Sequence, residues 1–301
     1  MPRALPSLLA LVLLTVVGVA AGLLALPDEA WAPAAGAGVG LLVGAVVAAL
    51  LLRRRRRLRD GAEAQAVSGL PLVAHVPPPG RDAQDVRRAE EAFRMLRAAL
   101  APRDGDGVPA GVVLVTSAAP GEGKTTAAAG LARAFARAGR PVVAVEADLR
   151  RPGLTAALGG DQAGTPKRGL TAAIVGGVPV DDLLVEVEPG LRLLPAGELP
   201  PNAPELLGSP DAARVLAELR GLGAAVVLDT APLLPVADTR ELLRLGGIDR
   251  VLLIARPGLV DRREVRDAVA LLPDEAAPIL AVSGRAQTPR SYDQYLRDGA
   301  R

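Results

Sequence analysis

The sequence predicts an α/β domain with a mostly parallel β-sheet and helices on both of its faces, preceded by a two-helix transmembrane hairpin. Three observations support this prediction. Apolar strand-like runs alternate with helical segments after residue 111, the stretch "SAAPGEGKTT" joins one such strand to the next helix, and two long uncharged segments occupy the N-terminus. Strands that are apolar along their whole length are typical of parallel sheets buried on both faces.

The composition limits the possible functions. The 301 residues leave room for a domain of about 200 residues and a smaller segment. The absence of cysteine excludes disulfides and thiolate-bound metals. The net charge of +2 is small and no basic stripe is interleaved with aromatic residues, so no nucleic-acid partner is predicted. Lys124 and Lys167 are the only lysines among 35 basic residues, which makes a lysine at position 124 informative.

The predicted transmembrane hairpin occupies residues 1–52. Residues 4–26 and 32–52 are uncharged, and each is close to the ~20 residues that cross a bilayer. Trp31 lies in the connecting loop, and the arginine-rich run "RRRRRLR" follows at residues 53–59. Because basic residues stay on the cytoplasmic side, both termini are expected in the cytoplasm. The alternative, a cleaved signal peptide, is disfavoured by the length of the first span and by the presence of a second.

A basic juxtamembrane linker is predicted over residues 53–80, with the strand-like run "GLPLVAHVPPPG" at its end. An amphipathic helix follows over residues 82–102, because Phe93, Leu96 and Leu100 recur at helical spacing. Its polar side carries Glu91, Arg94 and Arg97 at intervals of three residues. These three residues are candidates for an oligomer interface, and the alternative is a solvated face with local ion pairs.

The main domain is predicted over residues 81–284, with a tail over residues 285–301. Its strands are predicted at 111–118, 141–148, 191–197, 224–232, 250–258 and 278–284. Helices are expected at 124–139 and near 209–222, 236–245 and 261–272. In such sheets, ligands bind beyond the carboxyl ends of the strands.

The stretch 117–126 has the composition of a phosphate-binding loop. Gly121 and Gly123 allow backbone N–H groups to turn inward around oxyanions. Lys124 can reach the β- and γ-phosphates, and Thr125 can ligate Mg²⁺. Ala118 replaces the usual first glycine, which is tolerated where its φ is negative. The candidate nucleotide-binding residues are Pro120, Gly121, Glu122, Gly123, Lys124, Thr125 and Thr126.

Acidic residues end two further predicted strands. Glu146 and Asp148 follow one apolar run, and Asp229 follows another. Asp148 and Asp229 can hold Mg²⁺ or its waters opposite Thr125, while Arg150 can offset phosphate charge. A single acid at a strand end is often only a cap. Three acids beside a phosphate loop indicate a nucleotide–metal site.

Several ordered motifs resemble the bacterial tyrosine kinases of polysaccharide export, which are related to chain-length determinant co-polymerases. "AAPGEGKT" resembles the family's phosphate loop, "EADLRRP" its second motif and "VVLDTAP" its third acidic motif. "AGELPPNAPELLGS" over residues 196–209, "EAFRMLR" and "GLPLVAHVPP" also have family counterparts. The resemblance covers about residues 69–284.

This resemblance implies a tyrosine autokinase that uses ATP and Mg²⁺. It implies catalytic roles for Lys124, Glu146, Asp148 and Arg150, with Glu146 as the base. It further implies a ring-like homo-oligomer, phosphoacceptors at Tyr292 and Tyr295 in the tail, and partners in the machinery of polysaccharide polymerisation and export. The location implied is the bacterial inner membrane.

The sequence departs from the family pattern at three points. A short loop replaces the large extracellular domain between the spans, Glu146 replaces an aspartate, and the tail is only "SYDQY" instead of a tyrosine cluster. One alternative is therefore a scaffold or co-polymerase that uses ATP to set its oligomeric state, without kinase activity. Another is a partitioning-type ATPase, which the spans and Ala119, at the position of a lysine in those proteins, disfavour.

The predicted topology can be tested with reporter fusions. A reporter fused after Arg301 should be active only in the cytoplasm, because the arginine run holds the end of the second span on that side. Enzymatic activity of a cytoplasm-specific and of a periplasm-specific reporter is the measurement. A fusion within residues 27–31 is the control and should give the opposite pattern, while periplasmic activity after Arg301 would overturn the topology.

Overall fold

The computed structural model describes residues 42, 44–46, 56–78, 80, 83–100, 111–160 and 168–284. The chain divides into two units, residues 1–57 and 58–301. Within the described ranges, no helix combines the length and apolar character needed to cross a membrane. Most of the predicted hairpin, Arg53, Arg54 and Arg55, and the tail with Tyr292 and Tyr295 lie outside the described residues.

The second unit alternates strands and helices. The strands are β1 (Leu72–Val76), β2 (Val112–Ser117), β3 (Val142–Ala147), β4 (Val185–Glu188), β5 (Leu191–Leu194), β6 (Ala225–Thr230), β7 (Arg250–Ala255) and β8 (Ile279–Ser283). The helices are α1 (Gly61–Ser68), α2 (Ala83–Leu100), α3 (Lys124–Arg137), α4 (Leu154–Ala157), α5 (Leu170–Gly176), α6 (Ala203–Leu207), α7 (Pro210–Gly221), α8 (Asp238–Arg244) and α9 (Arg262–Val269). Two 3-10 turns cover Val180–Leu183 and Asp274–Ala276.

The described strands form one sheet in the order β1-β8-β7-β2-β6-β3-β5-β4. Every pair is parallel except β4 with β5, which is antiparallel at one edge. The carboxyl ends of the central strands β7, β2, β6 and β3 therefore lie side by side. The predicted α/β domain with a mostly parallel sheet is confirmed.

Two hydrophobic cores explain why the central strands are apolar along their whole length. Side chains of β2 alternate between them: Val112 and Leu114 join one core, and Val113 and Val115 join the other. Helices α2, α3 and α4 cover one face, and helices α1, α5, α7, α8 and α9 cover the other. Every residue of β2, β3 and β6 is buried.

Helix α1, the short helices α4, α5 and α6, and strand β4 were not predicted, although the sequence carries local signals for α1 and β4. Helix α1 begins after Asp60, whose side chain accepts a hydrogen bond from the Glu63 backbone N–H at 2.8 Å. The Glu63 carboxylate in turn accepts from the N–H of Arg59, the residue before the N-cap, at 2.8 Å. Strand β4 has the alternating sequence Val-Glu-Val-Glu, which is typical of a half-exposed edge strand. Both signals are present in the sequence.

The run at residues 72–76, placed in the linker by the sequence analysis, forms an edge strand. Strand β1 pairs in parallel with β8, and α1 packs beside it against α9. An ion pair between Arg262 and Glu63 joins these two helices. The described part of the linker from residue 58 to residue 76 is thus folded onto the sheet.

A tight backbone crossing fixes the start of helix α5. The amides of Leu170 and Thr171 donate to the carbonyls of Pro195 and Ala196 at 2.8 and 3.1 Å. A Cβ atom on Gly169 would lie 2.1 Å from the Pro195 carbonyl oxygen, which is a backbone atom that cannot rotate away. Only glycine fits between these two segments.

We therefore expect Gly169→Ala to destabilise the fold by about 1–3 kcal/mol, the usual range for overpacking. The corresponding fall in melting temperature is several degrees for a domain of this size. Gly176→Ala is the matched control, because Gly176 ends the same helix and its Cβ would make only an ordinary 3.6 Å contact with Val178 beyond it. Equal melting temperatures for Gly169→Ala and the wild type would contradict the crossing.

Candidate functional site

The candidate site lies at the carboxyl ends of the central strands, where several predicted residues meet. The phosphate-binding loop leaves β2 and leads directly into α3. Register pairing sets Glu146 on β3 opposite Asp229 on β6, and Val115 on β2 opposite the same aspartate. The sheet thus brings together side chains that are more than 80 residues apart in the chain.

The loop has the backbone shape that phosphate binding requires. Gly121 and Gly123 have φ values of 81° and 96°, in the left-handed region that favours glycine. Among the described non-glycine residues only Ala277 has positive φ, so Ala118 satisfies the condition stated for it. Helix α3 begins at Lys124, has no side-chain cap and has no acidic residue in its first turn. Its free N–H groups and partial positive charge suit an anion.

The Glu122 side chain connects the phosphate-binding loop to the residue that follows β7. It is fully buried, and its carboxylate accepts hydrogen bonds from the Ala119 N–H at 2.6 Å and the Arg256 N–H at 3.0 Å. Burial raises the pKa of Glu122 to about 7, against the effect of these bonds. The Ser283 hydroxyl donates to the Glu122 carbonyl, and the Arg256 guanidinium donates to the Gly121 carbonyl at 3.2 Å.

Arg256 and Ser283 were missed by the sequence analysis. Each lies at the end of an apolar strand, β7 or β8, so the rule that identified Asp148 and Asp229 could have found them. Their backbone and hydroxyl groups hold the loop in place from the side opposite β3. Thr126 lies in the first turn of α3, and Pro120 lies in the turn before Gly121.

The Lys124 ammonium lies between two carboxylates. Its Nζ is 2.7 Å from Asp148 Oδ2 and 3.9 Å from Asp229 Oδ1. The same atom is 3.5 Å from the Thr125 hydroxyl. Asp148 also accepts hydrogen bonds from the Arg150 and Arg151 backbone N–H groups at 3.3 and 3.0 Å. The structure therefore brings Lys124, Thr125, Asp148 and Asp229 into one cluster.

Asp229 is buried, and its ion pair with Lys124 is long, at 3.9 Å. Neither of its carboxylate oxygens has a hydrogen-bond partner among the described residues, and the side chain is fully buried. Burial raises its pKa to about 7, an effect that the Lys124 ammonium and the Thr125 hydroxyl oppose and the Asp148 and Glu146 carboxylates strengthen. A buried, unsatisfied carboxylate is costly, and a hydrated cation would satisfy it.

The donor set around Asp229 fits Mg²⁺. Among the described residues, no group of three His, Cys, Asp or Glu side chains converges into a metal site made of protein ligands alone. Mg²⁺ is usually held by one or two carboxylates together with substrate phosphates and waters. Asp229 and the Thr125 hydroxyl offer that smaller set beside the phosphate loop.

The Glu146 carboxylate is fully engaged. Oε1 accepts from the Leu154 and Thr155 N–H groups at 2.6 and 3.1 Å. Oε2 accepts from the Thr155 hydroxyl at 2.8 Å and the Ala196 N–H at 3.3 Å. The side chain is buried, and this arrangement differs from the expectation of an available base.

Arg150 is tied to a residue that the sequence analysis missed. Its Nε donates to both carboxylate oxygens of Asp238 at 3.1 and 2.9 Å. Asp238 is buried at the start of α8, while the Arg150 side chain is about half exposed. Asp238 follows no apolar strand directly, so no pattern in the sequence pointed to it.

The candidate interface residues lie on α2, away from this cluster. Glu91 and Arg94 form an ion pair at 2.9 Å within the helix, as the solvated-face alternative expects. The Arg97 Nε atom is buried and has no hydrogen-bond partner in the described part of the chain. Arg94 and Arg97 line a cleft of about 720 Å³ between α2 and α3. The oligomer interface remains a prediction.

Comparison with known proteins places this site in a family. The profile of the CobQ/CobB/MinD/ParA nucleotide binding domain matches residues 113–256, which include the loop and all three acidic residues. EpsB of Ralstonia solanacearum is 32% identical over 205 residues, which are 67% of this chain and 26% of EpsB. Succinoglycan biosynthesis transport protein ExoP of Rhizobium meliloti is 32% identical over 180 residues, 57% of this chain and 22% of ExoP.

A third relative is matched over most of its own length. Tyrosine-protein kinase YwqD of Bacillus subtilis is 30% identical over 184 residues, 61% of this chain and 75% of YwqD. The solved tyrosine kinase domain of BceF superposes with a TM-score of 0.61 at 26% identity, over 76% of this chain and 98% of that domain. The chain spans about a quarter of EpsB and ExoP. It belongs to the family of bacterial tyrosine-protein kinases built on this nucleotide-binding P-loop domain.

Proposed function

We propose that this chain is a membrane-anchored, ATP-dependent tyrosine autokinase that regulates the synthesis, chain length or export of a surface polysaccharide. The observation that carries the proposal is the cluster of Lys124, Thr125, Asp148 and Asp229 beside the uncapped N-terminus of α3. The family of the chain supports the reaction, and the name of ExoP supports the link to polysaccharide.

ATP binds with its phosphates in the loop and at the start of α3. The N–H groups around Gly121 and Gly123 surround the phosphate oxygens, with Pro120, Glu122 and Thr126 shaping the loop. Lys124 leaves its 2.7 Å contact with Asp148 and binds the β- and γ-phosphates, which are the stronger anions. The pair with Asp148 positions the ammonium beside the ends of β3 and β6.

Thr125, Asp148 and Asp229 provide the metal side of the site. The Thr125 hydroxyl and the Asp229 carboxylate would hold Mg²⁺, with Asp148 binding one of its waters. When bound, Mg²⁺ neutralises charge on the transferred phosphate. The Asp229 oxygens, which lack a hydrogen-bond partner among the described residues, would then gain a ligand, so metal and nucleotide stabilise the same cluster.

The phosphoacceptors are Tyr292 and Tyr295 in the tail of a neighbouring copy. They are the two tyrosines of the chain, and both lie within its last ten residues. Each phosphate adds about −1.5 to −2 charges, enough to alter contacts with nearby arginines. Arg150, held by Asp238, is one such cation beside the phosphate site.

The assembly is a ring-like homo-oligomer at the bacterial inner membrane, anchored by the two-pass hairpin with both termini in the cytoplasm. Glu91, Arg94 and Arg97 on α2 form contacts between subunits. Arg94 is exposed and Arg97 is partly exposed, so both side chains can reach a neighbouring subunit. The partners are the proteins that polymerise and export the polysaccharide.

A scaffold that binds ATP to set its oligomeric state is the second candidate function. The engaged carboxylate of Glu146 favours it, because the residue expected to act as base already accepts four hydrogen bonds. Nucleotide binding alone requires no base. The two candidates differ in whether phosphate reaches a tyrosine.

The autokinase is tested by phosphotyrosine blotting after incubation of the full chain with Mg-ATP. The wild type should give a signal, and Tyr292→Phe/Tyr295→Phe should abolish it because the chain has no other tyrosine. Lys124→Ala should weaken ATP binding at least tenfold and remove the signal, since it deletes a direct phosphate contact. Lys167→Ala is the matched control for loss of a lysine. A signal in the double tyrosine variant would refute the acceptors, and no signal with intact ATP binding would favour the scaffold.

Asp229 gives a prediction that does not depend on catalysis. Its pKa of about 7 lies above the ordinary value of 3.8, so the folded state favours the protonated form. That stabilisation is lost as the pH rises through about 7, and the nucleotide-free protein should be less stable at pH 8 than at pH 6. Asp229→Asn should raise the melting temperature at pH 8 by a few degrees. It should also reduce the difference in melting temperature between pH 6 and pH 8.

Two features of this experiment control its interpretation. Glu122, whose pKa is also about 7, acts in the same direction, so part of the pH dependence should persist. Asp182→Asn is the matched control, because this side chain is exposed and its substitution should change neither curve. In Asp229→Asn, the stabilisation that Mg²⁺ adds to bound nucleotide should also disappear. An unchanged pH dependence together with intact Mg²⁺ stabilisation would refute the assignment.

A further inference from the structure

The Glu146 carboxylate joins three segments of the chain. It lies at the end of β3, receives the Leu154 and Thr155 N–H groups and the Thr155 hydroxyl from the start of α4, and receives the Ala196 N–H from the segment after β5. Its side chain is 1% exposed. Each oxygen accepts two hydrogen bonds, which leaves little capacity for a substrate proton.

The contacts lead from Glu146 to the phosphate loop. Gly153 directly precedes Leu154, and a Cβ atom at Gly153 would lie 3.5 Å from the Thr125 side-chain methyl. The segment that Glu146 holds therefore lies beside Thr125, and helix α4 contacts helix α3. On the other side, the Ala196 carbonyl accepts from the Thr171 N–H and hydroxyl at 3.1 and 3.0 Å, so the same clamp reaches the start of α5.

We infer that Glu146 is a positioning residue for the nucleotide site and not its proton acceptor. Its carboxylate clamps residues 153–155 and 195–197 to the end of β3, and this fixes Thr125 and the loop in their binding geometry. The inference rests on the proposed function, because it names the role of one residue in the same site. It also assigns a structural role to the segment that begins at Ala196, because the Ala196 N–H is one of the groups that the Glu146 carboxylate binds.

The length of the side chain follows from this role. An aspartate would withdraw the carboxylate by about one bond, ~1.5 Å. The hydrogen bonds of 2.6 to 3.3 Å would then lengthen beyond hydrogen-bond range unless β3 moved toward both segments. Glu146→Asp should therefore impair the site. If Glu146 were the catalytic base, Glu146→Asp should instead keep its activity, because an aspartate also carries a carboxylate that can accept a proton.

A glutamine would test the charge and the acceptors together. It keeps the length, but its NH₂ group would face N–H donors at one of the two oxygens, so at least one donor would lose its acceptor. Thr155→Val offers a smaller change of similar volume, since it removes only the hydroxyl donor to Oε2. If Glu146 acts as a clamp, Glu146→Asp and Glu146→Gln should weaken nucleotide binding strongly, and Thr155→Val should weaken it mildly.

The first measurement needs no nucleotide. Amide hydrogen exchange of the full chain without ligand should show protected amides at Leu154, Thr155 and Ala196 in the wild type. Glu146→Asp and Glu146→Gln should accelerate exchange in both clamped segments, with little change in β2, whose hydrogen bonds they leave intact. Unchanged protection in both variants would overturn the clamp, whatever the protein does with ATP.

The second measurement separates positioning from proton transfer. With a fluorescent ADP analogue and Mg²⁺, both Glu146 variants should bind about tenfold more weakly, which corresponds to ~1.4 kcal/mol. At saturating ATP, the phosphotransfer rate should keep the same dependence on pH in every variant that binds. A catalytic base would give a different result. Glu146→Gln would then bind the nucleotide normally but lose phosphotransfer and change its pH profile, while Glu146→Asp would keep its activity. That result would refute the inference. If the wild type binds no nucleotide, the proposed function fails, and hydrogen exchange still decides on the clamp.

Discussion

The ion pair between Lys124 and Asp148 is the interaction on which the rest of the site depends. A parallel sheet with acidic residues at the ends of β3 and β6 collects negative charge at one edge, and those carboxylates are buried. Such a cluster requires a cation, and Lys124 supplies it at 2.7 Å from Asp148 and 3.9 Å from Asp229. The phosphate-binding loop that carries Lys124 must therefore end beside β3 and β6. This requirement fixes the direction in which the chain passes from β2 into α3.

Three carboxylates that look equivalent in the sequence have three different environments. Asp148 accepts hydrogen bonds from the ammonium and from two backbone N–H groups, Glu146 accepts four hydrogen bonds, and Asp229 accepts none among the described residues. A saturated carboxylate holds structure, a lysine-paired one exchanges its partner for phosphate, and an unsatisfied one attracts a cation. The division of roles in the proposed function follows from this difference in hydrogen bonding.

The phosphate loop is held in shape by its surroundings. Glu122 links the loop to the end of β7, and Ser283 links it to the end of β8. These contacts involve only groups of the protein itself, so they reduce the conformational cost of ordering the loop around a nucleotide. The glycines at 121 and 123 permit the backbone turn, and the neighbouring strands keep it in place.

The α/β class, the phosphate loop and the acidic strand ends could all be predicted from the sequence. Each of these features depends on local pattern: apolar runs buried on both faces, glycines before Lys124, and charged residues directly after apolar strands. Helix α1 and strand β4 also had local signals, in the N-cap residue Asp60 and the alternation at residues 185–188, that were not used. Which carboxylate is satisfied depends on the folded arrangement, which also brings Asp238, Arg256 and Ser283 into the site. These contacts depend on the strand order and on loops that meet across the sheet edge, and hydrogen bonds between distant segments leave no periodic trace in the chain.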